Sequence, residues 1–215
     1  MDVDPKVRLD VVGQSVARRG LADSLRELIA LVTAAAADDD ELVAAREAVQ
    51  KAIKILGPSP SVESFRDSAQ SGRRMSFNPF DTAENPLAPP LVPQPSEPGT
   101  YIADFVLSPA YEGPPGRTHG GVVTGVLDHA SGHALKALGI LAMSVSLTVD
   151  LLDATPYGEP LRVISRVADR DGRKIWVDSE LLMADGARTA TSRTLMIEIL
   201  DPPPWAAIQY QELNY

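Results

Sequence analysis

The residues of this chain whose types and spacing could do chemistry together are His119, Gly120 and Asp128. They lie in the run 119–131, HGGVVTGVLDHAS, where a His-Gly-Gly step opens an apolar helical segment and a lone acid follows inside it. Backbone amides at a helix start lack an intrahelical acceptor and can hold a developing oxyanion. A carboxylate amid Val, Leu and Ala is costly to bury unpaired, so it needs a reason to be there. Together these features predict water attack on an acyl group.

Distance limits how the groups can cooperate. At 1.5 Å of rise per residue, Asp128 stands roughly 10–12 Å from the amides at the helix start. A base and an oxyanion donor serving one carbonyl must each come within about 3 Å of the reacting atoms. One helix cannot supply both. Either Asp128 meets another loop of its own chain, or the helix start of one subunit meets the acid of a second. The latter, a two-fold dimer needed for activity, is the expectation.

On the same helix Gly121, Thr124, Gly125, Asp128 and Ser131 share a stripe of small and polar residues, which leaves room for a ligand or another chain. Without chemistry, Asp128 would be a structural carboxylate facing a buried donor, and His119 would merely steady a turn. His129 and His133, four apart on the helix, could both touch a metal, but no third ligand accompanies them and no metal site is expected.

The elements that must position these residues lie between 100 and 200. Alternation over 101–108 predicts a strand, and the loop YEGPPGRT leads into a helix over 120–138. Strand-like stretches follow at 143–152, 161–168, 174–183 and 187–199, with Asp171-Gly172 and Asp185-Gly186 marking tight hairpins. One buried helix and an antiparallel meander make an α+β fold. Strand alternation groups Ser144 with Ser146, Thr148 and Asp150, a hydrophilic face.

Upstream, 6–56 reads as an amphipathic helical hairpin. Leu21, Leu25, Leu28, Ile29 and Val32 form one apolar stripe; Leu42, Ala45, Val49, Ala52, Ile53 and Leu56 form the other. The acidic run before the second helix suits its dipole, and Gly57-Pro58 stops it. Packing against the main domain or a partner copy is its expected role. The proline-dense zone from 59 to 99 has no periodicity and reads as an irregular wrap, with 87–92 lying on the domain surface.

The segments GPPGRTHGGVVTGVLDHASG, MSVSLTVDLLDATPYGEPL and DGRKIWVDSELLMADG resemble, in order and spacing, the hotdog-fold acyl-CoA thioesterases of the phenylacetate-pathway (PaaI-like) type. The resemblance covers 101–199, about half the chain. It implies an antiparallel sheet wrapped around one long helix. With the zones that composition marks, the chain divides into an N-terminal helical segment (1–57), a proline-rich wrap (58–99), the thioesterase domain (100–200) and a tail (201–215). The resemblance also implies roles. Asp128 would activate water or attack the thioester, and the Gly120 amide, helped by Gly121, would polarise the carbonyl. His119 would shape the carbonyl site and Ser144 would position the water. Gly121 and Thr124 would line the substrate site, while Arg173 and Lys174 would meet the coenzyme A phosphates. No cofactor is implied, since coenzyme A is part of the substrate; a homodimer or a dimer of dimers is. The chain departs from the pattern where relatives carry a basic residue shortly after the Ser144 strand, here Leu151-Leu152-Asp153. The loop before His119 offers Glu112 and Arg117 in place of an amide side chain. The alternative is a domain that binds acyl-CoA without hydrolysing it.

Composition agrees. With 215 residues and 44% apolar content there is material for a full core. The formal charge of −9 argues against nucleic acid or an anionic membrane as partner. No cysteine is present, which removes disulfides and thiolate chemistry. The charged N-terminal residues lack a signal-peptide core and no apolar run is long enough to span a bilayer, so a soluble cytoplasmic protein is expected.

Overall fold

The computed structural model describes residues 16–34, 36–58, 78–80, 82–89 and 91–201. Its elements are α1 (Val16–Ala34), α2 (Asp39–Leu56), β1 (Val92–Gln94), β2 (Thr100–Val106), α3 (Gly120–Lys136), β3 (Ala142–Leu151), β4 (Pro160–Asp171), β5 (Lys174–Met183) and β6 (Arg188–Glu198). The strands form one antiparallel sheet in the order β1-β2-β4-β5-β6-β3. Its concave face carries α3, which touches every strand from β2 to β6. This is the α+β hotdog arrangement.

The sheet folds as its alternation dictates. On β5, Ile175, Val177, Ser179 and Leu181 are buried toward the helix. The opposite face is solvated and carries ion pairs such as Asp104–Arg162 and Arg188–Glu180. Gly172 (φ +56°) and Gly186 (φ +85°) sit in the two expected hairpins, in the left-handed region those turns need. β4 runs three residues past its expected end, to Asp171, with a bulge between Val167 and Asp169.

Between α3 and the sheet lies a ladder of hydroxyls. Tyr101, Ser165, Ser179 and Ser192 are successive cross-strand partners. Ser179 Oγ lies 2.7 Å from Ser165 Oγ and 3.0 Å from Ser131 Oγ on the helix, which is also 3.0 Å from Thr194 Oγ1. Ser131 in addition donates to the Leu127 carbonyl at 2.9 Å. Ser131 is therefore fully buried against the sheet and does not share the stripe of Gly121, Thr124, Gly125 and Asp128.

Two further expectations are corrected. Val92–Gln94 forms an edge strand paired with β2, placing Pro93 opposite Ala103. Proline is admissible there because an edge strand leaves half its amides unpaired. Within the wrap, Leu87 is exposed, and it is Ala88 and Pro89 that are buried.

The N-terminal helices form as expected but pack differently. Asp38 and Glu41 close a capping box on α2, and Gly57 (φ +84°) ends it. Yet α2 has no buried residue, and Leu42, Ile53 and Leu56 are exposed, so its apolar stripe is not core. On α1 the expected stripe is only half used. Leu25 and Leu28 are partly covered, while Leu21, Ile29 and Val32 face outward. The helix meets the 109–111 turn and the wrap through Ala22, which is small enough to be buried completely, and through Arg26. The expected helical start at 6, the first part of the wrap (59–77) and the tail from 202 fall outside the described residues.

Candidate active site

The loop before α3 is built to deliver His119. Glu112 accepts from the Gly116 amide at 2.7 Å and from the Tyr157 hydroxyl at 2.9 Å. Those two bonds, the backbone one first, hold its carboxyl below the usual glutamate range, although it is exposed. Glu112 is thus engaged in its own loop. Gly113 passes so close beneath His119 that an added Cβ would lie 2.8 Å from the His119 Cα, so only glycine fits. The His119 amide donates to the Tyr111 carbonyl at 2.8 Å.

His119 arrives in an extended conformation (φ −62°, ψ 130°) as the N-cap of α3, and its Nδ1 accepts from the Gly121 amide at 3.0 Å. An accepting Nδ1 leaves the ring proton of a neutral imidazole on Nε2. This division was not legible in the His-Gly-Gly motif. The Gly121 amide is consumed by the cap, which takes away the assisting role expected of it. The Gly120 amide has no acceptor among the described residues, as a first-turn amide can. Gly120 itself lies under Leu151 of β3, whose Cδ1 would stand 2.9 Å from an added Cβ.

Farther along α3, Gly121, Thr124, Gly125 and Asp128 line one open groove of about 480 Å³. Its other wall is Ser144, Val145, Ser146 and Leu147 of β3, together with Phe80. Asp128 is half-buried, and no described residue donates a hydrogen bond to its carboxylate. The structural reading of Asp128 needed a buried donor. None is present among the described residues.

Ser144 reaches the groove because β3 is irregular. Ser144 pairs with Met196 and Ser146 with Leu195, leaving Val145 as a bulge. Directly opposed residues in an antiparallel pair share a face, and Met196 is buried toward the helix. The bulge therefore puts Ser144 on the helix side and Thr148 and Asp150 on the outer side, with Ser146 at the groove's rim opposite Leu195. The single hydrophilic face expected from alternation does not exist.

Arg173 and Lys174 stay outside this groove. Both are exposed at the β4–β5 hairpin, and Arg173 Nε donates to the Glu198 carbonyl at 3.0 Å. Lys174 pairs with Ile197, which pairs in turn with Met143, so the basic turn shares a sheet end with Ser144 but lies two strands away. The His129 and His133 rings meet at a tilt of 59°, centroids 4.4 Å apart, and are flanked by Phe80 and Tyr101. Among the described residues no group of three His, Asp or Glu is arranged to hold a metal.

Phe80 was missed by sequence reasoning. Its one local signal is the Asn78-Pro79-Phe80 triplet, in which the Phe80 amide donates to Asn78 Oδ1 at 2.8 Å, an Asx-type turn.

The chain is similar to known proteins over this region. Residues 115–190 match the thioesterase superfamily profile. Acyl-coenzyme A thioesterase THEM4 of Xenopus laevis is 32% identical over 98 residues, covering 46% of this chain and 44% of its own. The chain thus spans under half the length of that curated relative. A crystal structure described as a thioesterase superfamily protein superposes with a TM-score of 0.69 at 27% identity, covering 84% of this chain and 94% of that one. This overlap reaches well beyond 100–200, so part of the N-terminal region is shared too. The PaaI protein of E. coli aligns at 18% identity and a TM-score of 0.49, over 51% of this chain and 79% of its own.

Proposed function

We propose that this chain, whose residues 115–190 match the thioesterase superfamily, hydrolyses acyl-CoA thioesters to the free acid and coenzyme A. The observation that carries the reading is Asp128: a carboxylate on a mostly apolar helix, without a donor among the described residues, opening on a groove with the Ser144 hydroxyl. Asp128 takes a proton from water as its oxygen attacks the thioester carbon, or attacks that carbon itself to form a mixed anhydride that water then hydrolyses to the free acid. Ser144 holds the water. The carbonyl oxygen becomes an oxyanion at the Gly120 amide, and collapse breaks the C–S bond and expels the thiolate. His119 contributes by capping Gly121, which directs α3 so that only the Gly120 amide points outward unclaimed.

The amide and the acid come from two copies in this reading. β3 is an edge strand of ten residues on which Met143, Val145 and Leu151 are exposed, and a long apolar edge favours pairing with another chain. Pairing by a two-fold axis would extend the sheet and carry each groove toward the helix start of the other protomer. Coenzyme A would lie outside the groove, its phosphates near Arg173 and Lys174. Among the described residues no helix is long and apolar enough to cross a membrane, and we take the cytoplasm as the place of action.

Complementation tests the composite site. Gly120→Pro removes the amide at a position where proline is well accepted in a helix, after a residue already extended. Alone, this variant and Asp128→Asn should each release little thiol. Coexpressed, half the dimers would be mixed and each would hold one intact site, restoring about a quarter of wild-type activity. No recovery in demonstrated heterodimers refutes the shared site. Saturable acyl-CoA binding by wild type, with no thiol released across an acyl panel, would leave the binding protein in place of the hydrolase.

A further inference from the structure

The N-terminal region reaches the groove at one residue. The Phe80 ring lies over Gly125, where an added Cβ would stand 2.3 Å from Phe80 Cζ and 2.7 Å from Cε1. It also stacks on His129, with centroids 6.3 Å apart and planes inclined by 29°. Gly125 precedes Asp128 by three residues, so the ring covers the turn of helix that leads to Asp128 and lines the same groove. Any apolar group extending from Asp128 toward the helix start meets that ring, with Val145 and Leu147 opposite.

What holds the ring there is α1. Arg26, whose side chain is only 16% exposed, donates to the Ala83 carbonyl at 2.9 Å and the Asn85 carbonyl at 2.8 Å. Arg18 lies 3.9 Å from the buried Glu84 carboxylate. Ala22 of α1 and Ala88 of the wrap are both fully buried, and the Tyr111 hydroxyl donates to the Leu87 carbonyl at 2.8 Å. A guanidinium engaging two main-chain carbonyls fixes a segment that has no secondary structure of its own. The segment so fixed begins three residues after Phe80. Gly125 answers from the other side, since its missing side chain is what admits the ring.

We propose that Phe80 is the specificity-determining wall that restricts the site to short acyl groups, and that Arg26 is the residue positioning it. This rests on the acyl-thioester reading above, and affinity and hydrolysis are measured separately so that the two can fail separately. Straight-chain acyl-CoAs from butanoyl to hexadecanoyl are assayed for thiol release, and the matching hydrolysis-resistant thioethers are titrated by calorimetry. Wild type should favour the short members in both. Phe80→Ala should raise the long-to-short ratio of kcat/KM, and of affinity, about tenfold or more, as for a pocket enlarged by more than a methylene. Phe80→Leu, which keeps an apolar side chain on Gly125, should shift both ratios the same way by less. Arg26→Ala touches no substrate and should move the profile in the same direction, whereas a merely structural loss would lower all lengths alike. An unchanged profile in the folded Phe80 variants overturns the proposal, as does a wild type that binds no thioether or prefers the longest. Thioether affinities that shift as stated, with no thiol released by any protein, would uphold the wall and remove the hydrolase.

Discussion

The two faces of α3 handle polar groups in opposite ways. Toward the sheet, Ser131 is buried among Val126, Leu127, Ala130 and Ala134, and its hydroxyl is engaged by Leu127, Ser179 and Thr194. Toward the groove, Asp128 is half-buried and receives nothing from any described residue. Only three positions separate them. A buried polar group that is satisfied contributes to one unique packing, and a polar group left unsatisfied at an opening is available to a ligand. Sequence composition treats the two alike; the partners distinguish them.

Substitutions should therefore separate the faces cleanly. Asp128→Asn should cost turnover about 10²–10⁴-fold, the usual scale for removing a general base, with the thermal midpoint nearly unchanged. Thiol release and thermal unfolding on the same preparation check both halves, and a large loss of stability would break the comparison. Ser131→Ala should do the reverse. It removes the helix partner of Thr194 and would cost about 1–3 kcal/mol in denaturant unfolding, with turnover per folded molecule retained. A Ser131 variant of normal stability would show that the ladder matters little.

Smaller effects are expected farther from the helix. Lys174→Ala should raise KM severalfold for acyl-CoA and leave an acyl-pantetheine unaffected, since only the former carries the nucleotide phosphates; equal changes would remove Lys174 from the phosphate site. The smallest effect concerns the loop that delivers His119. The Glu112 carboxyl is depressed in the folded chain, so its contribution is present above the ordinary glutamate value and is lost as pH falls through the folded one. Wild type should be slightly more stable than Glu112→Gln at neutral pH, and the gap should close on acidification. A gap that widens in acid contradicts the assignment.

Much of this arrangement was legible beforehand because it rests on local chemistry. The glycine hairpins, the Gly57 stop after α2 and the apolar run of α3 each depend on neighbouring residues. What was not legible depends on partners far along the chain. Nothing within 119–121 says that Nδ1 takes one amide and spares the other. The run Met143–Leu151 alternates without any mark of a bulge at Val145, because the bulge exists only relative to β6. β1 is three residues long and contains proline, so neither length nor propensity announces it. Phe80 sits where periodicity fails, and its place is decided by Arg26, more than fifty positions earlier.

The irregularity in β3 puts the two halves of that strand out of phase. Deleting Val145 would leave Ser144 opposite Met196 and Ser146 opposite Leu195, so both halves would keep their registry with β6. Ser144 would still point toward the helix, and Leu147 and Val149 would still face the core. Insertions and deletions are usually tolerated in loops. Here a shortening by one amino acid at Val145, in the middle of a regular element, should be tolerated as well, because the residue removed is the one without a cross-strand partner.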